Sequence, residues 1–299
     1  MKIWIDTDIG SDVDDALTLG YALRHPEVEL VGVSTVFGDV ALRTRITRAL
    51  LDLADRADVP VLTGLGKPLC ATRKGVMFGH EGRGLLDDAE PVMRVDADPD
   101  ACATTDALAR AIERAAPDAL VAIGPMTNLG ALARAGFALP RLAIMGGKVE
   151  DVEIEGAIAG IEEWNWFSDP VAVQAVLAQA GDPLPRVLPA EVTFGTHLEA
   201  EDVARLAGGD ALARALARLS EIWLAFIAGA RPKPPCVHLH DPLTLASLFE
   251  PGVCAFADRR IEIDDAGATR RVEGLANAEV ATDVDNDALR AHLMETWLG

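Results

Sequence analysis

Residues 1–17 read MKIWIDTDIGSDVDDAL, and the order of residue types in this stretch governs the reading of the rest of the chain. Lys2, Ile3, Trp4 and Ile5 form a short apolar run ahead of a Gly-containing loop, the pattern of a buried strand. Asp6, Asp8, Asp12, Asp14 and Asp15 follow, and apolar residues then resume at helical spacing through Ala16, Leu17, Leu19 and Leu23. Strand, acidic loop and helix in that order describe a site at the carboxyl edge of an α/β sheet. Carboxylates this close repel one another at neutral pH, and a bound hard cation with oxygen ligands would offset the repulsion. The plainer alternative is a solvated acidic turn in which Asp14 caps the helix.

Working outward, the 299-residue chain alternates apolar strand-like runs with helical patterns. Strands are expected at 28–36, 60–63, 119–123, 142–145 and 186–189, and helices at 43–57, 104–116, 129–134, 170–179, 199–206 and 211–226. More strand-like segments at 260–263, 270–272 and 279–282 precede a last helix at 286–297. Such alternation predicts one open, mainly parallel, Rossmann-like sheet flanked by helices, with extra short strands near the C-terminus. No repeat, low-complexity tract or linker divides it, so residues 1–299 read as a single domain. Two loops are unusually long for a compact domain, 64–90 and 148–169, a length that usually marks function. A turn at Asp96–Asp100 and a break at Arg231–Pro235 complete the outline.

The net charge of −20 excludes binding to phosphate backbones, which requires an excess of Lys and Arg, and it disfavours anionic membranes and polyphosphate substrates. A neutral small molecule fits better. No run approaches the roughly 20 apolar residues of a membrane span. No charged-then-apolar leader precedes the first strand, so a cytoplasmic location is expected. Cys70, Cys102, Cys236 and Cys254 are widely spaced and read as reduced thiols.

Three carboxylate motifs compete for the first loop. An EF-hand counted from Asp6 would need Gly and Glu where Ser11 and Leu17 stand, so it fails. Phosphoryl-transfer hydrolases opening with Asp-x-Asp are nearer, but Ile9-Gly10 replaces their usual continuation, and no Lys or Arg lies between Lys2 and Arg24. From the residues alone, one cation could be held by Asp8, Asp15 and Asp241, with a strand-end carbonyl such as that of Ile123 as a further oxygen donor. A vicinal diol would suit the remaining positions.

The third motif is Asp6-Thr7-Asp8-x-Gly10, a spacer, then Asp14-Asp15-Ala16. With Gly124-Pro125-x-Thr127-Asn128, Glu163-Trp164-Asn165 and His240-Asp241-Pro242 in the same order, it resembles the inosine–uridine-preferring nucleoside hydrolase family along essentially the whole chain. The resemblance implies hydrolysis of a ribonucleoside N-glycosidic bond through an oxocarbenium-like transition state, with Ca²⁺ held by Asp8, Asp15, Asp241 and the carbonyl of Ile123. It implies that Asp8 is also the catalytic base and that Asp14, Glu163 and Asn165 contact the sugar. His240 serves the leaving base, and His80 falls where the family often has another base-pocket histidine. Asp39 stands near the ribose where the family usually has Asn, and Trp164 replaces the commoner Phe. Trp223 and Phe226 are candidates for the base pocket, or core aromatics at i and i+3. A homodimer or homotetramer is the family's expectation. The rival functions are a non-catalytic, calcium-dependent nucleoside or sugar binder and a metal-dependent phosphohydrolase.

Overall fold

The computed structural model describes residues 1–86, 103–154, 161–228 and 236–299. The expected turn at Asp96–Asp100, the break at Arg231–Pro235, Cys102 and parts of both long loops lie outside the described residues. The first strand, β1 (Lys2–Thr7), is an interior strand of a nine-stranded sheet, third from one edge. Its neighbours are β2 (Glu29–Thr35) and β4 (Ala119–Ala122), both parallel to it. β3 (Val61–Thr63) extends one side, and β5 (Arg141–Met145) and β6 (Arg186–Leu188) extend the other, all parallel.

Burial on both faces explains why these strands read as continuous apolar runs and not as alternating ones. Along β1, Ile3 and Ile5 enter the core on one face while Trp4 enters the core on the other. β4 does the same, with Val121 on the first face and Leu120 and Ala122 on the second. Gly32 on β2 is required by close approach, because a Cβ there would collide with the Trp4 ring. The helices cover both faces: α1 (Asp14–Arg24), α2 (Val40–Leu53), α9 (Ala211–Ile227) and α10 (His240–Ala246) contribute to the first core. α3 (Thr105–Ala115), α4 (Thr127–Arg134) and α6 (Pro170–Leu177) contribute to the second.

The C-terminal strands are longer than expected. β9 (Cys254–Ile263) has ten residues and pairs antiparallel with both β10 (Thr269–Val272) and β11 (Ala278–Val284). β11 in turn runs parallel to β6, which fuses this meander to the main sheet. Three short elements go beyond the sequence reading: α5 (Trp164–Ser168), α7 (Ala190–Thr193), and a two-stranded ribbon of β7 (His197–Leu198) with β8 (Val237–His238). α8 (Ala200–Ala207) and α11 (Asn286–Leu298) match expectation closely. Among the described residues, no helix is long and apolar enough to cross a membrane. Cys70 is buried, and Cys236 and Cys254 are half-buried.

Candidate active site

The signature segments after β1, β4 and β5 leave the carboxyl ends of parallel strands, His240 and Asp241 follow the short antiparallel strand β8, and together they wall one cavity. Asp8, Ser11, Asp12, Asp14 and Asp15 come from the loop after β1 and the start of α1. Ile123 follows β4 and Met145 ends β5. Glu162, Glu163, Trp164 and Asn165 come from the second long loop, and His240 with Asp241 opens α10. Phe78, Ile161, Phe194 and Trp223 supply apolar wall. Asp12 is half-buried on this wall.

Carboxylate oxygens of Asp14, Asp15 and Asp241 lie within 4.8 Å of one another, and all three residues are buried. Burial first, and then mutual repulsion, holds these carboxyls well above the usual range. Asp14 is the first residue of α1 and Val13 occupies the cap position, so Asp14 is not the helix cap that the plainer reading expected. Its carboxylate instead joins the cluster. Thr7 donates its hydroxyl to Asp15 Oδ1, which fixes that carboxylate against the strand end. Asp8 lines the same cavity, and its carboxyl is raised by burial against the opposing effect of Arg43.

Arg43 is the residue that sequence reasoning missed. It sits on α2, fully buried, and its guanidinium donates to Phe37 O at 2.6 Å, Ile9 O at 3.0 Å, Ser11 Oγ at 3.1 Å and to Asp8 O. Its Nη2 also lies 3.8 Å from Asp8 Oδ2. A planar fork with donors on three nitrogens suits an array of loop carbonyls as an ammonium cannot. Arg43→Met is therefore expected to cost about 3–5 kcal/mol, since it strands buried acceptors and leaves the Asp8 charge uncompensated. Arg43→Lys is expected to recover only part of that loss. Urea denaturation measures both, and a midpoint unchanged in Arg43→Met would show that the loop stands without it.

Glu163 caps α5. It accepts Asn165 N at 2.6 Å on Oε1, and Trp166 N at 2.8 Å and Gly147 N at 2.9 Å on Oε2. Burial still raises its carboxyl to about 7. Asn165 Nδ2 donates to the carbonyls of Ile123 at 3.2 Å and Met145 at 3.4 Å, so the Glu-Trp-Asn motif is tied to two strand ends. Asp6 accepts hydrogen bonds from two side chains, Ser34 Oγ and Asn128 Nδ2, the latter at 2.7 Å.

His240 opens α10 and faces the cavity. Its Nδ1 pairs with Thr193 Oγ1 at 2.8 Å, and Phe194 and His238 pack on the ring at centroid distances of 4.8 and 5.0 Å. Three other candidates stand outside the cavity lining. Asp39 caps α2, accepting Leu42 N at 3.0 Å. His80 pairs through Nε2 with Ser11 O at 2.7 Å and stacks on Phe226 at 4.1 Å. Phe226 lies behind this layer and is exposed, whereas Trp223 reaches the cavity.

The family described as inosine-uridine preferring nucleoside hydrolase matches residues 3–291. The chain belongs to this family. A Schizosaccharomyces pombe protein is 33% identical over 88% of this chain and 84% of its own length. A pyrimidine-specific ribonucleoside hydrolase of Enterobacter sp. is 30% identical over 89% of this chain and 85% of its own. A solved plant nucleoside hydrolase superposes with a TM-score of 0.81 at 24% identity, covering 100% of this chain and 99% of that one. The shared architecture is thus the nucleoside hydrolase fold, C-terminal meander included. Within this nucleoside hydrolase, the acidic loop, the Glu163 cap and the His240 turn converge on one cavity.

Proposed function

We propose that this nucleoside hydrolase cleaves the N-glycosidic bond of ribonucleosides with Ca²⁺ at the acidic cluster, releasing ribose and the free base. The observation that carries the reading is the buried Asp14, Asp15 and Asp241 cluster, with Asp8 and His240 on the same cavity wall. The donor set fits a hard cation: every candidate ligand is an oxygen, and the raised carboxyls are what an uncompensated cation site produces. Asp8, Asp15, Asp241 and the carbonyl of Ile123 would hold the ion, with Asp14 beside them. When bound, calcium would neutralise the cluster, grip the vicinal ribose hydroxyls and acidify a water.

The rest is work for the chain's own groups. Asp8 takes the proton from the attacking water, positioned by the Arg43 brace under its backbone. Asn165 Oδ1 and the Glu163 carboxylate accept sugar hydroxyls, and their anchoring to strand ends holds the ring in place while positive charge spreads over it. The apolar wall of Phe78, Trp164, Phe194 and Trp223 receives the base. His240 protonates the base as the bond breaks. Phosphohydrolysis is disfavoured further by Arg43, whose donors are spent on loop oxygens and not offered to a substrate.

A panel of purine and pyrimidine ribonucleosides, assayed for reducing sugar with and without calcium, tests the reading. Release of ribose that stops on chelation and returns with Ca²⁺ is the expected result. Binding of nucleosides with no sugar released would make the chain a binder instead.

A further inference from the structure

We propose that His25, Glu250 and His292 form a second cation site, one for a borderline-soft transition metal such as Zn²⁺. They come from three separate elements. His25 is the residue that ends α1, Glu250 follows α10, and His292 lies within α11. A ring nitrogen of each histidine and a carboxylate oxygen of Glu250 lie within 4.8 Å of one another. α1 starts in the acidic loop, and its eleven residues put His25 about 16 Å from that loop at 1.5 Å per residue. The two sites are therefore separate.

The orientation of each ligand is already arranged. Tyr21 Oη pairs with His292 Nε2 at 2.8 Å, which turns Nδ1 toward Glu250 Oε1, 3.6 Å away. A partner on the far nitrogen of a metal-binding histidine is the usual device for fixing its ring and tautomer. His25 is packed between Phe249 and Tyr21, at centroid distances of 4.8 and 5.0 Å, and is nearly fully buried. Its Nδ1 accepts the Glu27 amide at 3.3 Å, so Nε2 is the nitrogen we assign to the metal. On metal binding the ring proton passes to Nδ1 and that long contact opens.

A simple imidazolium–carboxylate pair would need only His292 and Glu250. It does not account for the convergence of a His25 ring nitrogen on the same point, although His25 is the most buried of the three. Two imidazoles and one carboxylate, with a fourth position for water, are a zinc donor set, unlike the all-oxygen cluster at the other end of α1. Bonds of about 2.0–2.2 Å require the three ligands to draw together by roughly 1 Å, within the reach of side-chain rotation. The metal would then clamp the C-terminal end of α1, the turn after α10 and the middle of α11.

The test uses the full chain with Ca²⁺ saturating, titrated with Zn²⁺ against a chromophoric chelator and, separately, with Co²⁺. One equivalent should bind, with the intense visible bands of a four-coordinate cobalt centre, and binding should weaken as pH falls and the histidines protonate. His292→Gln and Glu250→Gln should abolish the saturable equivalent. Tyr21→Phe should weaken it by about ten- to a hundredfold, the usual cost of losing the hydrogen bond behind a ligand. Asp15→Ala should leave it intact. Glu250→Gln alters a half-exposed side chain, so it keeps the proposal testable if the histidine variant does not fold. Absence of a saturable equivalent, or equal binding in Glu250→Gln and the parent, overturns the site. Loss in Asp15→Ala with retention in Glu250→Gln also overturns it, by assigning the zinc to the acidic loop.

Discussion

His240→Ala is expected to lose about 10²–10⁴-fold in kcat/KM on a natural ribonucleoside, the range of a general acid, while hydrolysing p-nitrophenyl riboside at close to the parent rate. Negative charge builds on the departing base as the glycosidic bond breaks. A purine or pyrimidine anion leaves poorly without a proton, whereas p-nitrophenolate needs none. His240 reaches the cavity with its ring held by Thr193 on Nδ1, so Nε2 is the atom placed to deliver the proton. Asp8→Asn should fail on both substrates, because water must be activated whatever departs. Equal losses on the two substrates in His240→Ala, with calcium still bound, would make His240 a holder of sugar or loop. His80 would be a weak substitute: its Nε2 is committed to Ser11 O, and burial keeps its ring from protonating readily.

Asp15→Ala is expected to lose the calcium ion and, with it, more than about 10²-fold in activity, since base and metal act as a unit. Its effect on stability should change sign with calcium. Without the ion, Asp14, Asp15 and Asp241 have carboxyls raised by burial and mutual repulsion. A carboxyl raised in the folded state keeps its proton there at pH values where the unfolded chain has lost it. The folded state then binds more protons, so stability falls as pH rises above the ordinary carboxyl range. The calcium-free parent should be less stable at pH 8 than at pH 5, and Asp15→Ala should reduce that slope and be the more stable protein at neutral pH. With calcium saturating, the parent should regain the lead, because binding to the folded state alone stabilises it by mass action. Thermal melts of both proteins at two pH values, with and without calcium, decide it. A parent that is more stable at pH 8 without calcium would mean the cluster is not strained.

The parts legible in the sequence are those that local chemistry writes in a few adjacent residues. The apolar run of β1, the aspartates after it and the resumption at helical spacing form one continuous signal, and the strand–loop–helix order emerged as read. Boundaries slipped where a side chain spoke for the backbone. The pattern starts α2 at Arg43, yet Asp39 caps a helix that begins at Val40. Glu163 was read only as a sugar ligand, and its capping of the short helix α5 went unseen. Arg43 carried no signal at all. An arginine on an amphipathic helix reads as solvated, and only the fold brings it under a loop far upstream. His25, Glu250 and His292 are invisible for the same reason, being neighbours only through the packing of α1, α10 and α11.

The position of β1 inside the sheet, between β2 and β4, also bears on how the molecule is made. The aspartates of the first loop are synthesised well before β4, and their strand cannot gain its second partner until β4 has followed. Asp241 comes later still, after most of the chain has been translated. A nascent chain therefore carries the acidic loop long before Asp241 arrives to close the cavity, a high-contact-order route that is slow by nature. Ribosome-bound chains that stop before α10 should contain sheet without a cavity able to retain an ion. Capture of the cation would then mark the moment at which the protein is finished.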